Sequence, residues 1–395
     1  MTVESSTMLP RDCRLVLLLP EVFGREGGIP IIGQDLLEAI ARLKTNPQQY
    51  PVVIANDPFR PTRPLPSWVG HFRLRNCGAT ATYTGHIRRG WFATASMLTI
   101  AKYRPSLVVC GHVNHSPICH LMKKLLGIPY IVLTYGIEVW DVDSDLKRQA
   151  LKNANLVAAL SRYTRDKLIR RVGLSNEQVI VKPHGVREYF RPAPKPAHLM
   201  ERFGLRGQRV LLTVARLAKS ETDKGYDQVI KALAAVSKEV PNVRYVFVGS
   251  GDDVPRIREL AKEEGVAEKV VLPGFVANAA LADYYNLCDV FVMPSKKEGL
   301  GIVFLEALAC GKPVIAGNVD GSRDALLDGK LGTLVNPDSV EDIAKAIVAV
   351  LREETPKDLL DPSYLSATVR EHFGFDRYCE RVSEMITLAL TKTRT

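Results

Sequence analysis

The stretch "VFVMPSKKEGLGIVFLEALACGKPVIAG", Val290 to Gly317, reads as strand, loop, helix and strand in immediate succession. The β-branched run "VFVMPS" gives way to the loop "KKEGLG", a segment apolar on every side follows from about Ile302, and "KPVIAG" returns to strand character. A helix without a polar face is a buried helix, so Glu306 carries a carboxylate into the interior. Left unpaired it would cost several kcal/mol, comparable to a whole domain's stability. Glu306 therefore needs a partner, either a ligand or a buried Arg or backbone amides.

The same alternation extends in both directions. "RLVLLLP", "YPVVIAN", "SLVVCG", "YIVLTYG", "NLVAALS" and "QVIVKPHG" are strand-like, and segments such as "GQDLLEAIARLK" and "ASMLTIAKYR" between them space apolar residues by three and four. After the proline-rich joint "YFRPAPKPAH", Tyr189 to His198, the pattern restarts with "RVLLTVARL" and runs through "VRYVFVGSG", "KVVLPGF", "DVFVMPS", "KPVIAG" and "GTLVNP". Repeated strand, helix, strand means a parallel sheet covered on both faces. The chain is thus expected to be α/β, with two doubly wound parallel-sheet domains, residues 1–190 and 191–375, facing a central cleft. The tail 376–395 is an amphipathic helix that either closes the second domain or crosses back to the first.

Composition fits that division. With 395 residues, the chain exceeds what one core usually supports, and 46% hydrophobic with 24% charged residues is the balance of a folded globular protein. The longest apolar run near the start, "LVLLL", is far shorter than the roughly 20 residues of a bilayer span, and it follows acidic as well as basic residues. A cytoplasmic protein is expected. The 7 cysteines include no C-x-x-C pair and read as reduced core thiols. Residues 1–190 hold 25 Lys and Arg against 14 Asp and Glu, leaving 28 against 29 for the rest, so any acidic surface is met by the first half.

The chemistry gathers in loops that follow strands. Glu298 lies in the glycine loop before the buried helix, and Glu306 one turn inside it. The free amides where the helix starts suit an anion, and carboxylates suit hydroxyl groups, which together suggest sugars attached to phosphate. "ARLAKSETDKGYD" places Arg216 after a strand and Lys224 before a helix, a fork and a point charge for phosphate oxygens, or else a solvated basic loop. Gly27 and Gly28 either let main chain approach a diphosphate or sugar or form a plain turn. "VGSGDDVP" has Val254 where a dinucleotide loop would have its third glycine, so a dehydrogenase is set aside, although the loop can still touch a nucleotide. His112, His115, His120 and Cys119 match no strong metal-ligand spacing, and "GHVNHSPICH" reads as a polar loop lining the cleft.

Together, "GG", "SRYTRDKL", "PHGV", "ARL" with "KGYD", "VGSGDD", "PGFV" and "EGLGIVFLEALACGKPVIA" resemble the retaining nucleotide-sugar glycosyltransferases of the two-domain GT-B fold, glycosyltransferase family four. The resemblance covers most of the chain, and the two glutamates followed by "ACGKPVI" are its most specific part. It implies a hexosyltransferase with a nucleoside-diphosphate sugar as co-substrate and no metal or other cofactor. Glu306 would bind the donor's ribose hydroxyls and Glu298 the transferred sugar, while Arg216 and Lys224 grip the diphosphate with amides around Leu300, Gly301 and Ile302. Ser250, Phe275 and Val276 would lie by the nucleotide, with Gly27 and Gly28 also on the donor side and Tyr135, His184 and His112 in the acceptor cleft. Two positions depart from the family pattern. Tyr135 stands where His is common, and because Tyr titrates near pH ~10 it carries no acid/base role over; His184 stands where Asn is frequent.

Between Phe59 and Phe92, "FRPTRPLPSW", "HFRLR" and "HIRRGWF" mix Arg with Trp and Phe, as an anionic bilayer interface requires, or form a basic surface with loop aromatics. The expected acceptor is a glycan or lipid-linked glycan of envelope polysaccharide or glycolipid assembly, reached at the inner face of the cell membrane. A soluble transferase acting on a small sugar or sugar phosphate and a non-catalytic sugar-nucleotide-binding protein are the alternatives. No motif supports nucleic acid as a partner.

Overall fold

The computed structural model describes residues 13–24, 27–43, 50–57, 64–76 and 85–392. The chain divides into two compact units, Met1–His184 with Asp376–Thr395, and Gly185–Phe375.

The first unit contains β1 (Leu15–Leu19), β2 (Val52–Ala55), β3 (Arg73–Asn76), β4 (Leu107–Cys110), β5 (Tyr130–Thr134), β6 (Leu156–Ala159) and β7 (Val179–Val181). All pairings are parallel and the order is β3-β2-β1-β4-β5-β6-β7. Every residue of β1, β2, β4, β5 and β6 is buried, the signature of strands covered by helices on both faces. β3 was not foreseen as a strand, because "HFRLR" reads as a basic surface. It is an edge strand whose Arg73 and Arg75 are exposed, charges that discourage pairing with another sheet.

The second unit contains β8 (Arg209–Val214), β9 (Val243–Val248), β10 (Val270–Gly274), β11 (Val290–Met293), β12 (Val314–Gly317) and β13 (Thr333–Val335), again all parallel, in the order β10-β9-β8-β11-β12-β13. The opening stretch forms β11, the helix Ile302–Ala309 and β12, as its pattern predicts. Leu211, Phe247, Val292, Ile315 and Ile347 share one core, and each such fully buried side chain contributes about 1.5–3 kcal/mol relative to exposure. Cys13, Cys110, Cys119, Cys288 and Cys310 are buried free thiols.

The boundary falls at His184, ahead of the expected residue 190. Val186 bridges Gly374 in parallel fashion and the Phe190 carbonyl accepts a hydrogen bond from Arg370, so residues 185–190 belong with the second unit. The final helix, Phe375–Thr391, buries Tyr378, Val382, Met385, Ile386 and Ala389, and all but its first residue belongs to the first unit. Arg42 pairs with Asp376 at 3.0 Å, and Lys182 Nζ sits 4.2 Å above the Tyr378 ring.

Each sheet reverses its strand order once, at β1/β4 and at β8/β11. In open parallel sheets the crevice at such a switch point, outside the carboxyl ends of the strands, is where ligands bind.

Candidate functional site

At the β8/β11 switch point two loops meet. Gly225, with φ 80°, ends the loop after β8, and a Cβ there would overlap the Pro294 carbonyl after β11. Only glycine permits this approach in the left-handed region. Lys296 N donates to Asp223 O at 2.8 Å and Lys297 pairs with Asp223 at 2.8 Å, fastening the loops. Lys224 Nζ consequently donates to Glu298 Oε1, with both side chains largely buried. Burial alone would depress the Lys224 ammonium, but Glu298, Glu221 and Asp320 outweigh it and hold its pKa above the usual value.

Asp320, just beyond β12, completes the cluster. It is fully buried and accepts from Glu298 N at 2.6 Å and Ser322 N at 2.9 Å. Burial pushes its carboxyl up to about 6, against these hydrogen bonds, with the charge of Glu298 adding to the rise. Sequence reading missed this residue. Its signal was the Asp before Gly in "NVDGSRD", the pattern of a side chain that caps its own turn.

Glu306 is 6% exposed and accepts from the Tyr285 hydroxyl at 2.6 Å. Burial, with the neighbouring Glu306 charge adding, raises the Tyr285 pKa well above its usual value, leaving it a neutral donor. Gly301 precedes the helix with φ 82° and leaves no room for a Cβ against the Phe304 ring. Leu300 is buried, whereas Ile302 is partly exposed at the helix start. Arg216 is 78% exposed at its side chain and pairs with Glu221, an ion pair that solvent screens and a stronger anion could replace.

The glycines of "VGSGDD" serve packing. Cβ atoms at Gly249 and Gly251 would overlap the carbonyls of Ala215 and Leu217, and Leu217 N donates to Ser250 O at 3.1 Å. The exposed Ser250 is thereby set beside the loop that carries Arg216. Phe275, 60% exposed, and the half-buried Val276 follow β10, whose Gly274 carbonyl accepts from Gly249 N at 3.0 Å. The structure therefore brings Arg216, Lys224, Ser250, Phe275, Val276, Glu298, Leu300, Gly301 and Ile302 to the carboxyl ends of one sheet.

The β1/β4 switch point of the first unit has another character. Gly27 and Gly28 do open the helix Gly28–Arg42, but the preceding amides of Val22, Phe23 and Gly24 are taken by Asp57 Oδ1 at 2.6, 3.0 and 3.0 Å. Gly111 N donates to Leu18 O at 2.8 Å, bringing the two loops together. His112 Nδ1 accepts from Asn114 N at 3.1 Å, which leaves the ring hydrogen on Nε2. Burial, then Lys147, lowers the His112 pKa to about 4; burial, then His112, lowers that of His115 to about 4. Tyr135 donates from its hydroxyl to Gly111 O at 2.5 Å, and burial raises its pKa above the phenolic range. Its ring lies 6.0 Å from that of His112.

His184 requires a correction. Expected in the acceptor cleft, it is 1% exposed and its Nε2 lies 2.8 Å from Asp35 Oδ2, beneath the Tyr378 ring at 5.1 Å. It is thus held inside the first unit, beside Asp35 and Tyr378. Among the described residues no group of three or more His, Cys, Asp and Glu side chains could hold a metal ion.

Two units with parallel sheets, each with loops gathered at one switch point, define the GT-B class of α/β protein, and known proteins agree. The model of "Glycosyltransferase Family 4" matches residues 36–188 and that of "Glycosyl transferases group 1" residues 199–363. The chain belongs to glycosyltransferase family four. It is 34% identical over 235 residues to the GDP-mannose-dependent alpha-(1-6)-phosphatidylinositol monomannoside mannosyltransferase of Mycolicibacterium smegmatis, covering 56% of this chain and 61% of that one. It is 30% identical over 293 residues to the D-inositol 3-phosphate glycosyltransferase of Xylanimonas cellulosilytica, covering 70% and 67%. The alignments thus span 61% to 66% of the length of the mycobacterial mannosyltransferases. In fold it is similar to Anabaena HepE in complex with UDP (TM-score 0.76, 19% identity, 95% of this chain and 99% of that one) and to sucrose-phosphate synthase of Thermosynechococcus elongatus (0.78, 22%, 95% and 98%).

Proposed function

We propose that this protein is a retaining hexosyltransferase that moves a sugar from a nucleoside diphosphate to a glycan or lipid-linked acceptor. The observation that carries the reading is the Lys224–Glu298 pair at the β8/β11 switch point, with Glu306 on the helix that starts beside it. Arg216 and Lys224 exchange their carboxylate partners for the diphosphate, and the amides at Gly301 and Ile302 add donors. Glu298 and Glu306 accept from sugar and ribose hydroxyls. As the bond from the anomeric carbon to the diphosphate oxygen breaks, the electron pair leaves with the diphosphate, where these cations stabilise it. The acceptor oxygen attacks on the same face, and its proton passes to the departing phosphate, so no metal or side-chain base is needed. Ser250, Phe275 and Val276 border the nucleotide; Gly27 and Gly28 are kept as donor-side residues of the first unit, and Tyr135 and His112 as its acceptor-side residues.

The mycobacterial relatives, GDP-mannose-dependent phosphatidylinositol monomannoside mannosyltransferases, favour GDP-mannose and a phosphatidylinositol-type acceptor. A lipid acceptor also suits one face of the first unit. On the helix Gly85–Tyr103, Ile87, Trp91 and Leu98 are exposed on one side, flanked by the partly exposed Arg88, with Arg89 exposed further round the helix, and the adjoining helix Ser116–Leu126 exposes Leu121 and Leu125. Apolar and cationic side chains together match an anionic bilayer at the inner face of the cell membrane. Among the described residues no helix is long and apolar enough to cross a membrane. Residues 58–63 of the same basic stretch lie outside the described residues. The inositol-phosphate relatives favour a second reading, transfer to a free sugar phosphate.

The test supplies GDP-mannose or UDP-glucose with phosphatidylinositol vesicles, phosphatidylcholine vesicles or inositol phosphate, and follows nucleoside diphosphate release and product anomer. Anomer-retaining transfer to phosphatidylinositol, reduced when Arg88 and Arg89 are both replaced by Ala, is the expected result. Transfer only to inositol phosphate selects the second reading, and an inverted anomer overturns the mechanism.

A further inference from the structure

We propose that Asp320 is the positioning residue of the second unit's site: accepting the Glu298 and Ser322 amides on its two carboxylate oxygens, it holds Glu298 against Lys224, and loss of its charge loosens donor binding. The inference deepens the nucleotide-sugar reading and rests on it.

The geometry is reciprocal. Asp320 Oδ2 takes the Glu298 amide at 2.6 Å, and the next residue, Gly321, donates its own amide to the Glu298 carbonyl at 2.9 Å. Both backbone groups of Glu298 are therefore fixed by two successive residues beyond β12, while its side chain accepts from Lys224. The clasp is close, since a Cβ at Gly321 would overlap the Gly299 carbonyl. A second carboxylate oxygen, Oδ1, takes the Ser322 amide at 2.9 Å and orients the group.

The ionised carboxylate offers one acceptor oxygen to each amide. Asn offers one acceptor oxygen and would point an NH2 at the other amide, leaving a buried donor facing a donor. A protonated acid still has acceptor lone pairs, but its hydroxyl oxygen accepts an amide more weakly than a carboxylate oxygen does. The carboxyl is fully buried, and with its pKa pushed up to about 6 it changes charge in an accessible range. The groups around it are Glu298 and Lys224 on the loops after β11 and β8, Glu221 beside Lys224, and Arg323 and Asp324 on its own segment. Lys224 senses Asp320 directly, so removing that charge also weakens what keeps the ammonium protonated. Asp320 is not proposed to touch substrate; it acts through Glu298.

The experiment compares the full chain with its Asp320→Asn variant by two independent readouts. Hydrogen exchange of the unliganded proteins follows the Glu298 amide, and steady-state kinetics with GDP-mannose and UDP-glucose follow KM and kcat from pH 5 to 8. The expected variant exchanges the Glu298 amide about tenfold faster, lowers kcat/KM about tenfold, and loses the wild-type rise in KM below pH ~6. Wild type alone gives a second route, because its Glu298 amide should lose protection as pH falls through the same range once intrinsic exchange is corrected. Unchanged protection, or an acid limb in KM that persists in the variant, overturns the proposal. If wild type uses neither donor and binds neither GDP nor UDP while the variant still exchanges faster, the donor reading has failed and the positioning role falls with it.

Discussion

At the β8/β11 switch point the second unit gathers Lys224, Glu298 and Asp320 within hydrogen-bond reach, whereas at the β1/β4 switch point the first unit gathers His112, His115 and Tyr135. One topology supports both clusters. In the second, carboxylates keep a buried lysine charged; in the first, burial keeps two imidazoles and a phenol neutral. The charged cluster suits a diphosphate and the hydroxyls attached to it, whereas the neutral cluster offers no charge of its own. Division of labour between like folds thus lies in loop residues at strand ends, where side chains change without disturbing the sheet.

The largest effect should follow from parting the two loops of the charged site. Gly225→Ala places a Cβ at φ 80° against the Pro294 carbonyl, and about 1–2 kcal/mol of left-handed strain plus about 1–3 kcal/mol of overpacking should separate Lys224 from Glu298. Nucleotide affinity should fall at least tenfold, with denaturant melts showing the stability loss. Unaltered affinity would mean that the pair is not held by this contact.

A smaller effect concerns acid, to which the two clusters should respond in opposite senses. His112 and His115 have folded values of about 4, below the ordinary value of 6.5, so the unfolded chain binds more protons between those limits. Their contribution to stability is complete above pH 6.5 and is lost as pH falls toward 4. Asp320 is raised from 3.8 to about 6, so its ionisation strains the folded state above that range, and the strain is relieved as pH falls toward 3.8. Hydrogen exchange resolved by unit between pH 7 and 4.5 should show the first unit weakening more than the second. Replacing both histidines with Asn should flatten that difference, and equal weakening in both units would contradict the assignment.

Much of this was legible in the sequence because its carriers are periodic. Buried parallel strands are apolar runs, and β11, the helix Ile302–Ala309 and β12 follow from "VFVMPS" through "KPVIAG" by hydrophobicity alone. β3 escaped because an edge strand with Arg73 and Arg75 outward has no such run. Within the charged site, Glu306 stood out against apolar surroundings, Glu298 lay in the glycine loop before it, and Arg216 and Lys224 flanked a strand and a helix. Tyr285 and Asp320 did not, because a polar group that serves another polar group leaves no periodic trace, and Tyr285 comes from a different helix. The same limit hid the burial of His184, whose neighbour Asp35 is remote in sequence and near in space.

The central claim is that the second unit holds a nucleoside diphosphate with Glu306 on its ribose. Thermal-shift titration of the chain with UDP, GDP and ADP, repeated with Glu306→Ala, tests it most directly. One nucleotide should stabilise the wild type selectively, by about 2.7 kcal/mol at a hundredfold excess over Kd, and the variant should respond markedly less. No shift with any of the three at millimolar concentration, or an equal shift in the variant, would contradict it and leave Glu306 a structural residue that binds Tyr285.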